Sequence, residues 1–101
     1  MENKTGPVEI APIGIPWYHE ADYNGLREMF EDGQKLPLAY SEWFQPANSL
    51  FEFLKSAGVA VYKVYITPEE FPDWCVAHKH RLDRHARKVF VGEFVTKSYS
   101  D

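Results

Sequence analysis

Most of the chain follows a helical apolar repeat, interrupted by one β-branched run, and this pattern sets its elements. Tyr23, Leu26, Met29 and Phe30 recur at three- and four-residue spacing and predict a helix over 23–32. Asp22 is placed to cap it, and Gly33 to end it in a left-handed turn. Gly25 weakens this helix by about 1 kcal/mol relative to alanine. A loop containing Pro37 follows over 34–40. Ser41 can cap a second helix running to about Ala57, with Gly58 just past its end. Trp43, Ala47, Leu50 and Leu54 form one stripe that Phe44 and Phe51 widen, which predicts deep burial rather than a narrow seam. Pro46 near its start predicts a kink or a slightly later beginning.

Val59–Ile66 is β-branched and aromatic, bounded by Gly58 and Pro68, and predicts a strand. Ala60, Tyr62, Val64 and Ile66 share one face, and Val59, Val61, Lys63 and Tyr65 the other, so both faces are expected to be covered. Thr67-Pro68-Glu69-Glu70 then carries a helix start: Thr67 accepts from the N–H of Glu70, Glu70 reaches back, and Pro68 needs no donor there. Ile66 and Phe71 are spaced as a hydrophobic staple across it. The inward residues of this third helix are predicted as Phe71, Trp74, Cys75, His78 and Leu82, with Pro72 distorting its early part. Asp83 can cap a fourth helix to about Lys97, with Leu82, Ala86, Val89, Phe90 and Phe94 inside; a strand over 89–96 is the rival reading.

Pro7, Pro12 and Pro16 exclude a regular helix in the first seventeen residues. Their apolar positions, Val8, Ile10, Ile13 and Ile15, suit an extended segment lying on the body, with 1–8 alternatively a frayed or disordered terminus. The fold class is therefore helix-rich α+β in a single domain over 1–101, with about four helices and one strong strand. A lone strand leaves buried backbone groups unpaired, so 59–66 needs a partner: the 8–15 segment, the 89–96 segment, or the same strand of a second copy in a homodimer.

Composition narrows the class. With 101 residues and 45% hydrophobic content, a single core burying about two-thirds of the unfolded surface is feasible. One cysteine removes the disulfide-scaffold class, and no uncharged apolar run approaches the roughly 18 residues of a membrane span. The start lacks a basic segment leading into an apolar one, so it does not read as a secretory signal, and a cytoplasmic setting is the default. The net charge of −4 gives no global nucleic-acid footprint. It is unevenly spread, because Lys79, Arg81, Arg84, Arg87 and Lys88 crowd into 79–88 against the single acid Asp83.

Two segments carry a resemblance. Leu36-Pro37-Leu38-Ala39-Tyr40-Ser41-Glu42-Trp43 is similar to an LP-x-T-Y-x-E-W segment, and Pro68-Glu69-Glu70-Phe71 with Trp74-Cys75, after a Val-rich strand, to a D-P-E-x-F-x-x-W-C segment. Together they resemble a family of small bacterial proteins of about a hundred residues with no assigned activity, over roughly Trp17 to Lys97. The chain departs from that pattern at Ala39 and Thr67, and with Pro46 and Pro72. The resemblance supplies no catalytic residues and implies a bacterial, cytoplasmic, helix-rich domain.

Candidate chemistry is sparse. Cys75 and His78, three apart on a helix, share a face and are weak candidates for a metal; His80 points about 200° from His78, and His85 would have to fold back from the next helix. This spacing matches no four-ligand zinc pattern, and core packing of Cys75 with a partly buried His78 competes with it. Cys75 lies too far from its helix N-terminus to be activated as a nucleophile. The basic run 79–88, assisted by His80 and His85, could contact phosphates, but it is also the expected solvated junction of two helices. Glu20, Asp22, Glu28, Glu31 and Asp32 suit helix N-terminal stabilisation better than acid–base work. Trp17, Trp43 and Trp74 head an aromatic load of 16%, either core filler or anchors on an exposed groove or dimer seam. No cofactor is indicated. The leading expectation is a non-catalytic protein-interaction or regulatory module that binds a protein partner or itself, with no membrane role. The alternatives are a nucleic-acid-associated protein using 79–88 and a small enzyme or metal protein centred on Cys75 and His78.

Overall fold

The computed structural model describes residues 11–100. The expectations for 1–8, and for the part of the 8–15 segment before residue 11, lie outside these. The order is β1 (Ile13–Trp17), α1 (Glu20–Met29), a 3-10 turn (Gly33–Lys35), α2 (Tyr40–Ser56), β2 (Val61–Tyr65), α3 (Glu70–Ala77) and α4 (Arg84–Ser100). The fold is helix-rich α+β, and the described residues form four α-helices around a two-stranded sheet.

β1 and β2 pair in parallel, with Ile13 opposite Val61 and Trp17 opposite Tyr65. The partner of the strong strand is thus the proline-flanked N-terminal segment, and 89–96 is helix. A parallel pair needs a crossover, which α1, the 3-10 turn and α2 supply. Alternation along the strands then assigns two faces. Gly14 and Val64 meet α4: a Cβ added at Gly14 would lie 2.5 Å from Val91 Cγ1 and 2.7 Å from Val95 Cγ2, so a side chain there would push the helix off the sheet. Trp17 lies on the other face, edge-on to Trp43, Phe44 and Phe51 of α2 at centroid distances of 5.1, 6.0 and 6.1 Å.

The helix boundaries depart from expectation where side-chain caps are absent. α1 begins at Glu20, three residues early, and its N-cap His19 makes no side-chain cap bond. Asp22 instead joins Glu20 in the first turn, where carboxylates meet the positive end of the helix. Gly33 is not the left-handed stop. It packs so closely that an added Cβ would lie 1.7 Å from the Arg27 carbonyl oxygen, so the demand for glycine is steric. α2 starts after Ala39 rather than Ser41 and keeps Pro46 inside it, and Gly58 lies just past its end as expected, with φ +87°. The deep burial predicted for α2 is not found, and none of its residues is fully buried. A two-stranded sheet is too narrow to cover so wide a stripe, and Leu50 and Phe53 stay 48% and 69% exposed. β2 is likewise not covered throughout, because Tyr62 and Tyr65 remain half exposed.

Asp83 caps as predicted, and Thr67 makes one of its two predicted bonds; α3 itself begins at Glu70, after Glu69, and among the described residues Glu70 makes no return bond. Glu70 N–H donates to Thr67 Oγ1 (3.1 Å) and Ala86 N–H to Asp83 Oδ1 (2.9 Å). α3 closes with Lys79 in the left-handed region at φ 59°. There Lys79 N–H donates to Val76 C=O and His80 N–H to Cys75 C=O, the paired bonds of a Schellman stop. Phe71 and Cys75 face the core as expected, but His78 is exposed. The inner face of α4 is rotated from the predicted one. Ala86, Arg87, Phe90, Val91 and Val95 are buried, whereas Val89 is half-buried and Phe94 half exposed.

The core joins Tyr18, Tyr23, Leu26, Phe30, Val64, Ile66, Phe71, Cys75, Phe90 and Val91. Two buried tyrosines border it differently. Tyr23 donates from its hydroxyl to Pro37 C=O (2.5 Å), whereas Tyr18 accepts at its own C=O from the Tyr40 hydroxyl (3.0 Å).

Candidate interaction site

The outer edge of β2 is the most open backbone surface of the sheet. Ile13 N–H donates to Ala60 C=O and Ile66 N–H donates to Trp17 C=O, both at 2.9 Å. Successive residues of a strand point their main-chain groups to opposite sides, so the even-numbered residues of β2 serve β1 and those of Val61, Lys63 and Tyr65 point away. Among the described residues no backbone bond engages these outward donors. The outer edge of β1 is different, because there the outward positions include Pro12 and Pro16, which have no N–H to offer. Among the described residues, one edge of the sheet is therefore blunted and the other is open.

Side chains prepare the open edge. Tyr62 on β2 and Phe94 on α4, each 50% exposed, border a cleft of about 370 Å³ lined also by Lys63, Val95 and Ser98. Lys63, a natural guard on an edge strand, is turned inward: its ammonium sits 4.5 Å from the Trp17 ring centroid and 4.7 Å from that of Phe51. The cation is thus used within the fold, and the edge presents aromatic rings and backbone groups.

The basic run does not form one face. Arg87 is only 5% exposed and cannot serve as a phosphate contact. Its guanidinium makes two bonds to the Asp32 carboxylate (2.9 and 2.8 Å) and lies over the Phe30 ring at 4.3 Å. That fork holds Asp32 below its usual carboxylate range, against the raising effect of burial. Tyr18, packed beside the pair, is pushed up to about 12 by burial, partly opposed by Arg87. Arg81 is committed to Glu31 at 2.8 Å, while Lys79, Arg84 and Lys88 are exposed. The acids grouped near the first helix are likewise split between ion pairs and helix ends, with Asp32 and Glu31 bound to Arg87 and Arg81.

Cys75 and His78 are separated by the turn of their helix. The thiol is buried and donates to Arg81 C=O at 3.7 Å, and burial, followed by the Asp83 charge, pushes it up, away from a thiolate. The His78 ring lies outside, stacked on Trp74 at 4.4 Å with Nε2 3.8 Å from Glu93 Oε1. His80, expected to point elsewhere, is returned by the left-handed turn at Lys79 and stacks on the same indole at 5.2 Å, with His85 5.8 Å beyond it. Trp74 Nε1–H donates to Glu93 Oε1 (3.1 Å), and this bond, ahead of Lys97 and His78, lowers the Glu93 carboxyl. Among the described residues no group of three or more histidines, cysteines or carboxylates is gathered for a metal. No helix among them is long and apolar enough to cross a membrane.

The sequence reading did not single out Tyr62 or Phe94, nor the Asp32–Arg87 pair. The alternation of β2 and the prolines of β1 were the available signals for the open edge, and they become informative only once the two strands are paired. Compared with family models, curated proteins and solved structures, the chain matches none.

Proposed function

We propose that the chain is a non-catalytic protein-interaction module that receives an extended segment on the outer edge of β2. The observation that supports this most is the contrast between the two sheet edges: Pro12 and Pro16 blunt one, while Val61, Lys63 and Tyr65 offer donors and acceptors on the other. Strand addition draws affinity from such main-chain groups and specificity from side-chain pockets, and the Tyr62–Phe94 cleft lies where alternate side chains of an added strand would fall. The resemblance over Trp17–Lys97 supports a bacterial cytoplasmic setting for this role.

Photo-crosslinking residues placed at positions 62 and 94 test the reading in cells expressing the protein. Discrete adducts are expected from both positions, none from position 28 on α1, and their disappearance when Val61→Pro removes one outward N–H without touching the β1 ladder. Equal labelling from position 28, or adducts indifferent to Val61→Pro, would refute it.

A further inference from the structure

We infer that the segment received on β2 is the β2 strand of a second copy, pairing antiparallel about a two-fold axis through Tyr62. The inference rests on the edge-binding reading above and names its occupant. Two strands are a small sheet, and natural sheets usually hold about four to six. Doubling across the open edge gives the order β1-β2-β2-β1, in which each outer strand is the one blunted by proline. The resulting sheet would have no unguarded edge left. A foreign strand would instead leave its own outer edge open.

The register follows from charge and alternation. Outward groups sit on the odd residues, so a two-fold can pass through Tyr62, Lys63 or Val64. Centring on Lys63 sets two lysines directly opposite, which destabilises a pair. Centring on Val64 places a fully buried side chain at the seam and leaves Tyr62 facing Ile66, also fully buried. Centring on Tyr62 sets the two half-exposed tyrosines against each other, with Val61 facing Lys63 on both sides. Aromatic pairs opposite one another are among the favourable cross-strand contacts. The Phe94 rings and their clefts then lie on the same face as the tyrosines, self-complementary as a two-fold requires. Among the described residues, Lys63 is the one charged residue that lines the cleft or occupies β2.

A tyrosine pair centred on the axis falls at a non-hydrogen-bonded position, where Cα atoms approach to about 4.5 Å and a disulfide fits. Light scattering coupled to size-exclusion chromatography should give twice the 11.7 kDa chain mass at micromolar concentration. Tyr62→Cys should crosslink to itself on air oxidation, while Val61→Cys, facing Lys63, should not; the native Cys75 is buried and does not interfere. Phe94→Asp, which leaves the strand backbone unchanged, should return the chain to monomer with an unaltered far-ultraviolet spectrum. A monomeric mass, or crosslinking of Val61→Cys as fast as Tyr62→Cys, overturns the inference. A monomer that still gives adducts of another mass from position 62 would retain the interaction reading and reject the second copy. A monomer without such adducts rejects both.

Discussion

Asp32 and Arg87 lie 55 residues apart in sequence, and their pair fastens α4 to the turn after α1. The informative perturbation is Asp32→Ala. It leaves a guanidinium that is 5% exposed, held over Phe30, with neither of its two carboxylate bonds. Stranding one partner of a buried ion pair costs about 3–5 kcal/mol, a large share of the roughly 5–15 kcal/mol total of a small domain. The reciprocal Arg87→Met should cost less, about 1–3 kcal/mol, because the Asp32 side chain keeps 20% of its surface in water and can be rehydrated. The double variant Asp32→Ala with Arg87→Met removes both charges and should cost far less than the two singles summed. Urea unfolding followed by far-ultraviolet circular dichroism measures all three, and the coupling should be at least about 2 kcal/mol. Acid gives a second handle. The folded pKa of Asp32 lies below its unfolded value, so its contribution is complete above the ordinary 3.8 and fades as pH falls through the lower folded value. The gap between wild type and Asp32→Asn should therefore close in strong acid. A loss under about 1 kcal/mol for Asp32→Ala, or a double variant as costly as the summed singles, would refute the argument.

Further outcomes follow from local geometry. Lys79→Gly should raise stability by about 0.5–1 kcal/mol, since φ 59° is costly for a side-chain-bearing residue; an unchanged urea midpoint would contradict this. Gly33→Ala should cost about 3 kcal/mol or more, because its Cβ would strike the Arg27 carbonyl oxygen, whereas Gly25→Ala, with open space and a helical backbone, should gain about 0.5–1 kcal/mol. Equal effects of the two in thermal melts would refute the steric account. Tyr18 ionises at about 12 when folded and at 10.0 when unfolded, so its contribution is full below 10.0 and is lost as pH rises towards 12. Alkaline denaturation should thus be shallower in Tyr18→Phe, and identical profiles would count against the burial of that hydroxyl.

What was legible in the sequence was local. The β2 run, the Thr67 bond to Glu70, the Asp83 cap and Gly58 each act through neighbours in the chain, and each is found in place. What was missed depends on groups brought together only by folding. The apolar repeat places the inner face of α4 through Val89 and Phe94, because an arginine at 87 reads as a solvent residue. The distant carboxylate of Asp32 makes its burial tolerable, and the face then turns so that Arg87, Val91 and Val95 lie one above another. Gly33 reads in the sequence as a conformational stop, whereas its reason lies in a backbone contact with Arg27. The candidate edge was half legible. Pro12, Pro16 and the alternation of 59–66 were visible, but the distinction between a blunted and an open edge exists only once the two strands are known to be parallel and in register.

The aromatic load can now be divided by position. Around Trp17, the rings of Tyr18, Tyr23, Tyr40, Trp43, Phe44 and Phe51 join the sheet to α2. Phe30, Phe71, Trp74 and Phe90 join α1, α3 and α4. These contacts give a small sheet enough apolar surface to hold two helices on opposite faces. Tyr62 and Phe94 belong to neither group, and Phe53 stands apart on α2. Aromatic residues scattered singly over a surface need no explanation. Two of them border one cleft beside a strand edge whose outward N–H groups no described residue engages, and together they form an apolar and hydrogen-bonding surface. That surface holds two of the rings that the core leaves exposed.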